Sequence, residues 1–149
     1  MSAFVTAGAG FLLAVLWFDL MFDIQVLGHH EHELPEQTLA SIAAYYRRVT
    51  TAARPMNRLI AAAMLATIAA VIVEIAAGHQ ARWVAWASLA LAVSAIGLAG
   101  ARTVPSAVRL GERRDPAARQ SQLARSILRE HLLCALASVA LLVLQLAFA

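Results

Sequence analysis

Asp19 and Asp23 stand four residues apart inside an apolar run, a spacing that puts two carboxylates on one face of a helix. Gln25 follows them. Three other segments bring polar groups to the edges of apolar runs: Arg54, Asn57 and Arg58 in one, Arg102 in a second, Glu130 and His131 in a third. Ionisable groups at membrane depth are costly and mark either pairing or function. In the functional reading, Asp19 or Asp23 is a base or ligand, His131 an acid–base group or ligand, and Arg54 or Arg102 holds an anionic or carbonyl group. A transition metal on Asp19, Asp23 and His131 is the sharper form of that reading, with Cys134 one turn beyond His131 as a softer donor. In the structural reading, the same carboxylates, guanidiniums and imidazole neutralise one another and fix helix register.

Other candidates carry less. His29, His30 and His32 alternate with Glu31 and Glu33, a tract with metal-binding composition but no spacing that fixes a geometry; a solvated loop is the expected reading. Glu74 is expected to pair with Arg82. Tyr45 and Tyr46 are adjacent, so helix geometry sends one to the inner polar cluster and the other to the interface. Tyr46 is the one counted with the cluster. There is no Walker loop, GxGxxG, CxxC or Ser-His-Asp order.

The elements that position these groups follow from composition. Of 149 residues, 61% are hydrophobic and 14% charged, against about a quarter charged in soluble domains. A membrane helix needs roughly 20 apolar residues, and four windows meet that, at about 3–25, 57–78, 82–104 and 129–149. The first is expected to be a retained span and not a cleaved signal. Small-residue stripes, such as Ser88, Ala92, Ala95 and Ala99 on the third, allow close helix approach. The single cysteine excludes an intrachain disulfide.

All twelve basic residues are arginine. Eleven lie in the two long connections and only Arg82 in the short one, so positive-inside bias places the long connections in the cytoplasm and both termini outside. Arginines confined to the connections read as topology signals, and nucleic-acid binding is not expected. Within the first long connection, Leu39, Ile42, Tyr46 and Val49 share one face, predicting an amphipathic interfacial helix over about 35–53. In the second, Asp115-Pro116 predicts a cap and first turn of one unbroken helix running to the C-terminal end, roughly 50 Å long. Because spans alternate in direction, Asp19, Asp23, Arg54, Asn57, Arg102 and His131 converge at one depth.

The runs Leu16-Trp17-Phe18-Asp19-Leu20-Met21-Phe22-Asp23-Ile24-Gln25, Ala44-Tyr45-Tyr46-Arg47-Arg48-Val49-Thr50-Thr51 and Arg54-Pro55-Met56-Asn57-Arg58 resemble a group of bacterial four-helix membrane proteins. Ala101-Arg102-Thr103-Val104-Pro105 and Leu110-Gly111 extend the resemblance to nearly the whole chain. More distantly, the layout is similar to the anthrone-oxygenase-like family, although its Pro-x-Asn element is replaced here by Pro105-Ser106-Ala107. That resemblance implies oxygenase chemistry in a bacterial inner membrane.

The expected architecture is all-α, in a single membrane domain over 1–149. It is a four-transmembrane-helix bundle with an interfacial amphipathic helix and a long fourth helix extending into the cytoplasm. Two functions follow from it: an oxygenase or oxidoreductase acting on an apolar small molecule, or a non-catalytic accessory or scaffold subunit. A small transporter ranks third. The expected partners are the bilayer, an apolar ligand and further copies of the chain.

Overall fold

The computed structural model describes residues 2–78 and 80–148, with the Arg54 side chain outside the described set. Among the described residues six α-helices follow in order: α1 (Ser2–Asp23), α2 (Glu36–Arg47), α3 (Arg54–Ala77), α4 (Arg82–Leu98), α5 (Val104–Glu112) and α6 (Ala117–Phe148). Among the described residues, four helical stretches are long and apolar enough to cross a membrane, those containing α1, α3, α4 and α6. They close into a ring in which α1 packs on α3, α3 on α4, α4 on α6 and α6 on α1. Val5, Ala9, Val71, Ala92 and Leu141 fill its interior. The outward faces are apolar, with Phe4, Trp17, Phe18, Leu65, Leu136 and Leu146 all exposed. A surface of that kind is stable against lipid and not against water. The protein is an all-α, membrane-embedded bundle.

Close approach within the ring depends on small residues. A Cβ on Gly8 would clash with the Thr67 side chain, so α1 and α3 approach closely at this point. The α3–α4 hairpin turns through Gly78, whose φ of 66° is left-handed and favours glycine.

The two long connections are built, not loose. The helix α2 packs against α5, and both pack against the first half of α6. Leu39, Ile42 and Tyr46, the apolar stripe read from sequence, are buried in this second layer with Leu110, Ile127 and Leu128. The stripe is thus covered by protein. Wide π-type turns occur at Arg48–Ala52 and Ala99–Thr103. Each is followed by a proline within a few residues, Pro55 and Pro105. A proline ring gives no N–H to the preceding turn and crowds the carbonyl four residues back, which widens the coil there. The helix expected over 82–104 runs on through the second of these turns into α5, so that one helical stretch covers Arg82–Glu112.

The fourth helix is continuous over 32 residues with no turn at Glu130, about 48 Å at 1.5 Å per residue. Its start differs from expectation in one respect. Asp115 takes the Arg109 guanidinium on both oxygens, at 2.7 Å each, so its carboxylate is tied to α5 instead of capping the helix. That pair, not a cap, holds the Asp115 carboxyl below the ordinary carboxylate range, the Arg109 hydrogen bond being the largest cause. The histidine tract arches over α6, where Arg125 donates to the backbone carbonyls of Glu31 and His32, and Leu34 N–H donates to Ser121 Oγ at 2.8 Å.

Candidate functional site

Three helices converge on His131. The last turn of α1 presents Asp19 and Asp23, α2 presents Tyr45 and Tyr46, and α6 presents the imidazole. His131 Nδ1 lies 2.6 Å from Asp23 Oδ2. A carboxylate only accepts, so Nδ1 carries the proton in that bond. Tyr46 donates its hydroxyl to Asp23 Oδ1 at 2.5 Å. Tyr45 donates to Asp19 Oδ1 at 2.7 Å, and His131 Nε2 stands 3.9 Å from Asp19 Oδ2. Asp23 is 1% exposed, Tyr46 2% and His131 6%. Each carboxylate therefore has a phenol donor, and the imidazole lies between the two carboxylates. A buried carboxylate without such partners would cost several kcal/mol.

Both tyrosines reach the cluster, contrary to the expectation that one would face the interface. Two carboxylates one turn apart offer acceptors to neighbouring residues of a crossing helix, and Phe22 stacks on the Tyr45 ring at 4.0 Å with the planes 10° apart. Burial is the largest cause raising both phenols above the ordinary tyrosine range, with the Asp19 charge next for Tyr45 and the Asp23 charge next for Tyr46. Both are protonated donors at neutral pH.

The remaining residues of the expected cluster are placed elsewhere. Arg102 approaches Glu130, Nε to Oε1 at 3.8 Å, with most of its side chain exposed. Glu130 is held further by Thr103 Oγ1 at 2.8 Å and Ser126 Oγ at 2.9 Å. This satellite was missed by sequence reading, although Ser126 and Glu130 sit at i,i+4 spacing. Asn57 donates to the Thr50 carbonyl and so ties α3 to the turn after α2. Arg58 is exposed and Gln25 half-buried in the single 3₁₀ turn after α1. The Arg54 side chain lies outside the described residues. Cys134 is directed to the Ala95 carbonyl of α4 at 3.4 Å, not to a shared site with His131.

The metal reading finds no donor set. Among the described residues no group of three or more His, Cys, Asp and Glu side chains is arranged to hold an ion. His131 is hydrogen-bonded to Asp23 and only within ion-pair distance of Asp19, and each carboxylate accepts a tyrosine hydroxyl at an oxygen a metal would need. Two cavities lie away from this cluster: one of about 20 Å³ in the bundle centre beside Thr67 and Leu141, the other beside the α3–α4 hairpin.

No curated protein and no solved structure matches the chain. A family model described as "ER membrane protein SH3", SHR3 chaperone, matches residues 1–148. This is neither the anthrone-oxygenase-like family nor a group described as bacterial, and a four-span layout with a basic segment after the third span is too general to separate such families. By that match over nearly its whole length, the chain belongs to the SHR3 chaperone family of ER membrane proteins.

Proposed function

We propose that the protein is a non-catalytic accessory component of a membrane complex, a chaperone-type scaffold in the sense of its family's description. The observation that carries this reading is the pairing of Asp23 with Tyr46 and His131, which joins α1, α2 and α6 through one carboxylate. An acid–base or ligand role would direct one of these groups at space for a substrate, and each here is directed at a neighbouring helix. The exposed apolar faces of the ring then meet lipid and the membrane-spanning helices of a partner protein. The enzyme reading, an oxygenase on an apolar small molecule using Asp19, Asp23 and His131, has the weaker support.

The test is complementation. Deleting the gene in its native host is expected to deplete or aggregate a small set of polytopic membrane proteins, read by quantitative proteomics of detergent-extracted membranes. Rescue by His131→Gln and Asp23→Asn variants should follow the amount of folded variant present. A variant that is folded and abundant yet fails to rescue would instead support chemistry at His131.

We place the domain, residues 1–149 as one unit, with its arginine-rich connections on the cytoplasmic face and both termini on the other. Single cysteines at Gln80 and Ala118 are expected to label from opposite sides of a sealed vesicle. The native Cys134 is buried and should stay silent. Labelling of both positions from one side would end this topology.

A further inference from the structure

A second polar group lies at the other end of the bundle, around the α3–α4 hairpin. Glu74 on α3 is 4% exposed. Its Oε2 accepts from Gln145 Nε2 at 3.3 Å, and Gln145 Nε2 also donates to Ser88 Oγ at 2.9 Å. Arg82, expected to pair with Glu74, lines the same cavity but is not what holds the carboxylate. Glu74 Oε1 has no hydrogen-bond partner among the described residues, and neither has Gln80 Oε1. Both residues line a cavity of about 270 Å³ shared with Arg82 and Trp86.

That volume exceeds several water molecules at roughly 30 Å³ each, so it admits a group of several heavy atoms. Its chemistry is divided. Glu74 and Gln80 offer two buried acceptor oxygens, one of them on a carboxylate, and the indole of Trp86 offers a face that attracts cations. Arg82 supplies a guanidinium, which favours phosphate or carboxylate. An ammonium that satisfies Glu74 Oε1 and Gln80 Oε1 must carry N–H donors, which a trimethylammonium lacks. Exposed Trp83 and Trp86 are the residue type that marks the boundary between the apolar core and the headgroups. We propose that this cavity binds a zwitterion with a primary ammonium beside a phosphate, the chemistry of phosphoethanolamine, with the ammonium on Glu74 and Gln80 and the phosphate on Arg82. The same chemistry is presented by a bilayer lipid headgroup and by free phosphoethanolamine.

Native mass spectrometry of the full chain in detergent tests this, with phosphatidylethanolamine, phosphatidylcholine and phosphatidylglycerol of equal acyl chains added in turn. Phosphatidylethanolamine is expected to be retained about tenfold over the other two, the size of one charge-assisted hydrogen bond. Glu74→Gln should bring the three lipids to parity. A parallel arm adds free phosphoethanolamine in phosphatidylglycerol micelles. Glu74-dependent binding in this arm without lipid preference assigns the site to a soluble zwitterion, whereas lipid preference assigns it to the headgroup. If Glu74→Gln does not fold, Trp86→Leu and Arg82→Gln, both at exposed side chains, carry the test, and each should cut the preference at least severalfold. Equal retention of all three lipids with no Glu74-dependent binding of the free zwitterion overturns the proposal, as does a folded Glu74→Gln protein, or folded Trp86→Leu and Arg82→Gln proteins, with unchanged preference.

Discussion

Asp23→Ala is expected to lower the unfolding free energy of the detergent-solubilised protein by about 3–5 kcal/mol, the usual consequence of removing one partner from a buried pair. The change strands two buried donors, the Tyr46 hydroxyl at 2.5 Å and His131 Nδ1 at 2.6 Å. Each stranded donor contributes about 1–3 kcal/mol of that loss. Replacing the set together by Asp23→Leu, His131→Leu and Tyr46→Phe should cost less than the sum of the single changes, because no donor is then left without an acceptor. A denaturant titration of Asp23→Ala, the three single changes and their combination checks the ordering, and an Asp23→Ala protein within experimental error of wild type would show the cluster contributes nothing. An alkaline limb belongs to the same network. Tyr45 and Tyr46 are the only tyrosines and the chain has no lysine. Their folded phenols are raised above the ordinary value of about 10. Above that pH the unfolded chain releases protons that the folded chain keeps. The contribution of the two phenols to stability is therefore full below about pH 10 and falls as pH rises beyond it. Tyr46→Phe should flatten that fall.

What the sequence made legible was depth, and what it left hidden was direction. Alternating spans bring Asp19, Asp23 and His131 to one level, because helix rise converts residue count into height. Which guanidinium meets which carboxylate depends on rotation about each helix axis, and four apolar spans have little amphipathic signal to fix it. Arg102 therefore finds Glu130 rather than Asp23, and the charge on Asp23 is met by an imidazole and a phenol. The α2 stripe of Leu39, Ile42 and Tyr46 was readable as a buried face because its period is strong. What covers it was not, since α5 is only nine residues long and begins behind a widened turn at Ala99–Thr103. Gln145 had a usable signal, a lone amide between two leucines in a span, and such an amide must find a partner in hydrocarbon.

Gly111→Ala tests whether the second layer and the polar cluster act as one piece. A Cβ at Gly111 would lie 2.8 Å from Arg47 N and 3.0 Å from Arg47 Cα. These are backbone atoms, so no side-chain rotation relieves the clash and α2 must shift away from α5. Overpacking of this kind costs typically about 1–3 kcal/mol, partly offset by the gain of roughly 1 kcal/mol from replacing glycine in a helix. Gly10→Ala is the matched control, because nothing lies within 4 Å of its added Cβ, and it is expected to leave stability unchanged or raise it. The residue pressed by Gly111→Ala adjoins Tyr46, whose hydroxyl is fixed on Asp23 across a fully buried contact. A shift of α2 large enough to admit a methyl group therefore lengthens that bond. Combining Gly111→Ala with Tyr46→Phe should then cost measurably less than the two changes added, by more than the roughly 0.5 kcal/mol within which independent sites add. Strict additivity in that double-mutant cycle would mean that α2 yields at Arg47 without disturbing Tyr46, and that the α2–α5 contact serves packing alone.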